Sequence, residues 1–201
     1  KISFEDNYGK INFYLFPYIK PSNVKRYFED LEIYTYQDAV KAVIESIDLD
    51  TDERNIMISH QFILNAELSE SEEIYAGEAE AVSMNLYKDF DYVALGHIHK
   101  KQSFMNGKIR YPGALLKYAS SESNYEKSIT IVEIKEKNNL VISERKIEYL
   151  HEMRKIRGYF SEIINSASED SNFNDYIHIE LLDDNEISEG LQRLREFYPN
   201  I

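Results

Sequence analysis

The chain has 201 residues, a formal net charge of −13 at neutral pH and no cysteine. This length suffices for one sizeable α/β core with a smaller unit attached. The lack of cysteine excludes disulfides and thiolate metal sites, so metal ligands would be nitrogen or oxygen atoms. The acidic charge argues against a generally basic DNA-coating protein, because nonspecific duplex binding depends on Lys and Arg. No apolar run approaches the roughly 18 residues of a membrane span and no signal peptide is visible, so we expect a cytoplasmic protein.

Hydrophobic periodicity predicts, in chain order, a strand over residues 11–16 and helices over residues 22–31 and 35–47. Ser22 or Asn23 would cap the first helix, and Thr35 with Asp38 three positions later is typical of a capping box. Further strands are predicted over residues 55–60, 92–95, 109–111, 128–134 and 140–147. We therefore expect an α/β domain over residues 1–148.

A second, smaller domain is expected over residues 149–201. Its pattern predicts a helix over residues 156–164, a strand over residues 176–182 and an amphipathic helix over residues 187–197. This order is typical of a small α+β unit.

Two of the predicted strands lead directly into histidines. One apolar run ends at His60, and another is followed by Gly96-His97-Ile98-His99. If the chain after Gly96 stays extended, the imidazoles two positions apart leave on one side while Ile98 packs the other way. Ligands collect at the carboxyl ends of parallel strands, so the three imidazoles could converge on a pair of metal ions. The alternative for each is a hydrogen-bonded histidine at the edge of the core.

The chain's other histidines are not predicted to bind metal. His151 precedes a basic segment, and His178 alternates with Ile177 and Ile179 in a predicted strand. Neither occupies a motif position, so an ordinary surface or core role is the simpler interpretation.

Several segments, in this order, resemble the SbcD nuclease subunits of bacterial SbcCD complexes. They are Ile58-Ser59-His60-Gln61-Phe62, Ser69-Glu70-Ser71-Glu72, Asp91 to Lys100 with its Ala94-Leu95-Gly96-His97-Ile98-His99 core, Ile109-Arg110-Tyr111-Pro112-Gly113, Met153 to Gly158, Asp175-Tyr176-Ile177 and Leu194 to Asn200. Gly-His-x-His alone would indicate only the calcineurin-like metallophosphoesterase superfamily. The succession narrows the resemblance to the SbcD type, over nearly the whole chain.

The resemblance implies a fold, an activity and partners. The fold would be the carboxyl-terminal half of a metallophosphoesterase α/β sandwich, followed by part of an α+β cap domain. The activity would be Mn²⁺-dependent hydrolysis of DNA phosphodiester bonds at a two-metal centre, with exonuclease and endonuclease action in replication, recombination and repair. The partners would be DNA and an SbcC-type ATPase with long coiled coils.

The resemblance also implies site residues. His60 and His97 would bind one metal ion and His99 the other. Gly96, Arg110, Tyr111 and Gly113 would lie near the substrate, with Gly113 allowing a close backbone approach. An ordinary turn is the alternative for this last segment.

The family's other metal motifs do not occur in this sequence. No histidine has an Asp two positions before it, and no glycine is followed by Asn, so the bridging carboxylate and the proton-donor histidine are missing. Lys101 and Ala114 also depart from the family's common Pro and Ser. We therefore expect an internal fragment that is inactive alone. We expect it to form homo-oligomers through a bared sheet face around Ile56, Ile58, Val93 and Leu95.

A stretch from Lys100 to Tyr118 contains five basic residues and no acidic ones. It could approach phosphates or be merely a solvated loop, and both interpretations stay open. Two alternative functions also stay open: another binuclear metallophosphoesterase, acting as a phosphatase or phosphodiesterase, and a non-catalytic DNA-binding scaffold.

Overall fold

The computed structural model describes residues 1–68 and 80–201, which form two compact units. The first unit comprises Lys1–Leu115 and Lys127–Lys146, and the second comprises Leu116–Glu126 and Ile147–Ile201. The motif Ser69-Glu70-Ser71-Glu72 lies outside the described residues. No helix among the described residues is long and apolar enough to cross a membrane.

The first unit is built on a six-stranded sheet with the order β1-β2-β3-β4-β6-β5. Its strands are β1 (Ile2–Asp6), β2 (Gly9–Phe16), β3 (Arg54–Ser59), β4 (Tyr92–Leu95), β5 (Gln102–Phe104) and β6 (Ile109–Tyr111). Strands β2, β3, β4 and β6 are parallel, whereas β1 and β5 are antiparallel edge strands. The mixed α/β class is confirmed, and the two-sheet sandwich remains a prediction.

The two predicted amino-terminal helices differ in outcome. Helix α2 (Tyr36–Glu45) is confirmed, and Thr35 and Asp38 cap it reciprocally at 3.1 and 2.9 Å. Helix α1 (Pro21–Val24) has only one turn, so the predicted extension to residue 31 is wrong. Pro21 starts α1 early, and the residues directly after Val24 are exposed. A short helix without a continuous buried face gains too little from packing to continue.

One face of the sheet carries the main core. Tyr14, Met57, Val93 and Leu95 point to this face and pack with Val40 of α2. The prediction that Val93 and Leu95 lie on a bared surface is therefore wrong.

The opposite face is covered in part. A hairpin of β7 (Ser128–Ile134) and β8 (Leu140–Lys146) packs there, and Thr130 accepts a hydrogen bond from Arg110 Nε at 3.2 Å. Ile56 is buried on this face, against prediction, whereas Ile58 is 42% exposed, as predicted. Leu15, which pairs with Ile58 in register, is 58% exposed. Ile58 and Leu15 thus form an exposed apolar area on β2 and β3.

The second unit contains β9 (Met153–Gly158), α3 (Phe160–Ala167), β10 (Tyr176–Leu181) and α4 (Gly190–Arg195), with β9 and β10 parallel. The strand over residues 176–182 is confirmed to within one residue. The predicted helix over residues 156–164 is wrong in its first part, because residues 153–158 form a strand. There Lys155 and Arg157 are exposed while Ile156 faces the core, which is a two-residue alternation. Helix α4 is shorter than the predicted residues 187–197.

Candidate metal centre at the strand ends

The register of the parallel strands brings three chain segments to one edge of the sheet. Phe16 of β2 pairs with Ser59 of β3, and Ser59 pairs with Leu95 of β4. The three strands therefore end level with one another, and the residues that follow them emerge together. The backbone amide of Gly96 donates to the Ser59 carbonyl at 2.9 Å, which extends this alignment by one residue.

His60 and His97 meet at this edge, as the sequence predicts for neighbouring strand ends. Their ring centres are 5.3 Å apart and their planes are inclined by 80°. Two imidazoles that bind one tetrahedral ion through nitrogens about 2.0–2.1 Å from it have ring centres about 5 Å apart. The observed spacing therefore fits two ligands of the same ion.

Gly96 leaves room for the first of these imidazoles. A Cβ atom on residue 96 would lie 2.5 Å from Nδ1 of His60, which is closer than real Cβ contacts come. Any side chain there would push the His60 ring away. The structure thus gives Gly96 a role in placing the His60 imidazole, whereas its proximity to substrate remains a prediction.

The backbone at His97 is strained rather than extended. His97 has φ of 104°, a region that residues other than glycine rarely adopt. The chain therefore bends here, in contrast to the extended path considered from the sequence. Ile98 nevertheless packs into the core with 3% exposure, as expected. Strain of this kind concentrates at functional sites, because surrounding structure must hold it.

Two hydrogen bonds hold the backbone of His99. Its carbonyl oxygen accepts hydrogen bonds from the Ala114 amide and from Lys127 Nζ, both at 3.0 Å. Gly113 has φ of 83°, and a Cβ there would lie 2.7 Å from the same carbonyl oxygen. The backbone at Gly113 therefore lies close to that of His99, whereas its proximity to substrate remains a prediction.

Within residues 1–68 and 80–201, no group of three or more His, Asp or Glu side chains is arranged to hold a metal ion. The predicted convergence of His60, His97 and His99 on one cluster is therefore seen only for the first two. A complete metal site built from this chain alone does not exist among the described residues.

Arg110 and Tyr111 are used inside the fold. Arg110 forms an ion pair with Glu144 of the hairpin. The Tyr111 side chain is fully buried, and its hydroxyl accepts from the Ile63 amide at 2.9 Å and donates to the Gln61 carbonyl at 2.5 Å. These bonds hold the chain immediately after His60, so Tyr111 supports the candidate site from within the core.

The basic stretch after the histidines is also engaged with other groups. Lys100 pairs with Glu67, and Lys101 pairs with Glu144 at 2.5 Å. The hydrogen bond from Lys101 is the largest influence that lowers the pKa of the Glu144 carboxyl below its ordinary 4.5. Lys108 donates to a backbone carbonyl. These contacts favour a structural role for the stretch over phosphate binding.

Tyr18 is a residue of this site that was not predicted from the sequence. Its ring stacks on His97, with centres 5.9 Å apart and planes 10° apart, and it meets His60 edge-on at 6.5 Å. Its hydroxyl donates to Glu80 at 2.7 Å. Burial, together with hydrogen bonds to Tyr36 and Glu80, raises the pKa of the Tyr18 phenol above its ordinary value of 10.0. Its place two residues after the end of β2 is the signal that could have found it.

The two remaining histidines belong to the second unit. His178 is exposed on β10 while Ile177 is buried, which is the predicted alternation. The His151 ring meets Tyr176 edge-on at 6.3 Å. Neither belongs to a candidate metal cluster among the described residues.

Comparison with known proteins adds two findings. Residues 149–201 match the family model SbcD_C, described as the Type 5 capsule protein repressor C-terminal domain. The chain is also 34% identical over 196 residues to the SbcD subunit of the SbcCD nuclease of Staphylococcus epidermidis, covering 95% of this chain and 52% of that protein. The resemblance to SbcD-type subunits is confirmed. The chain spans about half the length of this relative.

Proposed function

We propose that this chain is part of an SbcD-type DNA nuclease subunit that hydrolyses phosphodiester bonds at a centre of two manganese ions. The adjacent imidazoles of His60 and His97, at the aligned ends of β3 and β4, carry this proposal. It is supported by the similarity along nearly the whole chain to a protein named as a subunit of the SbcCD nuclease.

In the proposed centre His60 and His97 hold one ion, and His99 contributes to the second. Bound divalent ions would activate water and stabilise the attacking and leaving oxygens of the phosphoryl group. This chain's residues supply neutral nitrogen donors and fix their positions. The bridging carboxylate, the remaining ligands and the proton donor would come from a part of the full-length protein outside this chain.

The proposal extends to partners. The full-length protein would act on DNA in the cytoplasm, together with an SbcC-type coiled-coil ATPase, in replication, recombination and repair. The name of the relative, a subunit of SbcCD, supports such a complex.

The test uses the full-length protein with His97→Ala or His99→Ala. We expect loss of Mn²⁺-dependent nuclease activity with little loss of stability, because these changes remove ligands rather than large core side chains. His178→Ala is the matched control, since this histidine is exposed on β10, and it should leave activity unchanged. Nuclease activity at the unaltered level in both ligand variants would contradict the proposal.

The same preparations distinguish the alternatives. Hydrolysis of p-nitrophenyl phosphate without DNA cleavage would indicate a different binuclear metallophosphoesterase. DNA binding without hydrolysis of either substrate, and without metal binding, would indicate a scaffold.

A further inference from the structure

Tyr18 is placed to act on both imidazoles of the proposed metal centre. It lies parallel to one ring and perpendicular to the other, at distances within the usual range for aromatic pairs. The His60 side chain is otherwise exposed at the surface. A flat ring against both imidazoles restricts the rotations that would separate their nitrogens.

Tyr18 is itself held from several directions. Its hydroxyl is bonded to Glu80, and its ring packs 5.9 Å from that of Tyr36, the first residue of α2. The preceding carbonyl, of Pro17, accepts a hydrogen bond from the buried side-chain amide of Gln61 at 3.1 Å. Gln61 directly follows His60. The loop after β2 is therefore tied to the loop after β3, and Tyr18 is rigid enough to position its neighbours.

From this arrangement we propose that Tyr18 is a positioning residue, which holds the His97 and His60 imidazoles in the geometry that binds one divalent cation. The inference rests on the proposed function, because it presumes that the two imidazoles bind metal. The stacked ring carries the effect and the hydroxyl serves to anchor it. Groups that orient metal ligands change metal affinity by about 10–100-fold when they are removed.

Zn²⁺ is a suitable probe, because it binds imidazole more tightly than Mn²⁺ does. Calorimetric titration of this chain should show that Tyr18→Leu weakens Zn²⁺ binding about 10-fold, whereas Tyr18→Phe stays within about threefold. Tyr27→Leu is the matched control, because Tyr27 is 84% exposed in the same unit, and it should bind Zn²⁺ as the unaltered chain does. Zn²⁺ binding by Tyr18→Leu that equals the unaltered chain would overturn the proposal, and so would an equal loss in Tyr18→Phe.

NMR spectroscopy without metal reports directly on the contact between the Tyr18 ring and the His97 imidazole. In the unaltered chain, ring current from Tyr18 should shift the NMR signals of the His97 imidazole upfield. Tyr18→Phe should keep this contribution, whereas Tyr18→Leu should lose it and keep only that of Phe62, whose ring centre lies 6.2 Å from that of His97. Unshifted His97 signals in the unaltered chain would overturn the stacking even if Tyr18→Leu failed to fold.

The histidine variants distinguish an error in the proposed metal site from an error in the positioning role of Tyr18. If His60→Ala and His97→Ala left Zn²⁺ binding unchanged, the proposed pairing of these two imidazoles on one ion would be wrong. If those two variants lost binding while Tyr18→Leu kept it, only the positioning role would be wrong.

Discussion

Replacing Gly113 by alanine tests how tightly the chain packs against His99. Gly113 has φ of 83°, and an added Cβ would lie 2.7 Å from the His99 carbonyl oxygen and 3.1 Å from the Lys101 nitrogen. Both obstacles are backbone atoms. The carbonyl cannot easily move, because Ala114 and Lys127 both bind it at 3.0 Å.

Gly9 provides a matched control in the same unit. It has φ of 90°, nearly the same backbone conformation, but an added Cβ there would meet nothing within 4 Å. Gly9→Ala should therefore cost only the left-handed conformation, about 1–2 kcal/mol, reduced by up to about 1 kcal/mol through the lower entropy of the unfolded chain. Gly113→Ala should add an overpacking cost of about 1–3 kcal/mol. The expected losses are about 1 kcal/mol for Gly9→Ala and about 2–4 kcal/mol for Gly113→Ala.

Urea denaturation measures both variants on the same unfolding transition, since both residues lie in the first unit. With a slope of about 2 kcal/mol/M, the midpoint should fall by about 0.5 M for Gly9→Ala and by about 1–2 M for Gly113→Ala. Hydrogen exchange of the Ala114 amide should also accelerate in the Gly113 variant, because its acceptor is displaced. Equal midpoints for the two variants would show that the turn at Gly113 accommodates a side chain without cost, which would refute its close packing against His99.

Four further outcomes are expected. This chain alone should bind Mn²⁺ weakly and show no nuclease activity, and calorimetry that found two tight sites would contradict this. Light scattering should report a mass above the 23.7 kDa of one chain, because we expect the chain to self-associate. Ile58→Glu on the exposed sheet face should lower this mass, and a stable monomer of the unaltered chain would refute self-association. Gly96→Ala should displace the His60 imidazole and weaken Zn²⁺ binding, whereas Gly158→Ala, whose Cβ would meet only ordinary contacts from 3.6 Å outward, should not. The pKa of Glu144 in the folded chain is lowered from 4.5. The ionised carboxylate should therefore stabilise the fold above pH 4.5, and this contribution should disappear as the pH falls through the lowered pKa. A stability difference between the unaltered chain and Glu144→Gln that persisted at still lower pH would contradict this.

The pairing of His60 with His97 could be predicted because it depends on two features that a sequence displays. Each imidazole follows a short apolar run, and parallel strands place their carboxyl ends at one edge. The prediction that the two histidines lie close together tolerates errors of about one residue in the strand bounds, since it requires only that β3 and β4 be neighbours. It does not depend on the conformation of the loops.

The parts that could not be predicted depend on contacts between loops. The bend at His97 places a residue other than glycine at positive φ, which is uncommon and is not indicated by any local sequence pattern. Tyr18 is an aromatic residue rather than a metal-binding one, so its place two residues after β2 was the only signal in the sequence, and the structure shows that its ring reaches both imidazoles. Strand β1, in contrast, could have been predicted from the sequence but was not. Ile2 and Phe4 alternate with polar residues before Gly9, which is typical of a strand that ends in a turn.

The strain at His97 bears on why the site is arranged as it is. A left-handed backbone costs about 1–2 kcal/mol, whereas full burial of a side chain such as Ile98 contributes about 1.5–3 kcal/mol. Ile98 is 3% exposed, so the gain from inserting it into the core is large enough to offset the strain at its neighbour. Gly96, bonded to the Ser59 carbonyl, holds the chain on the other side of the bend. His97 thus lies between the hydrogen-bonded backbone of Gly96 and the buried side chain of Ile98, and this packing maintains the conformation that places its imidazole beside His60 and Tyr18.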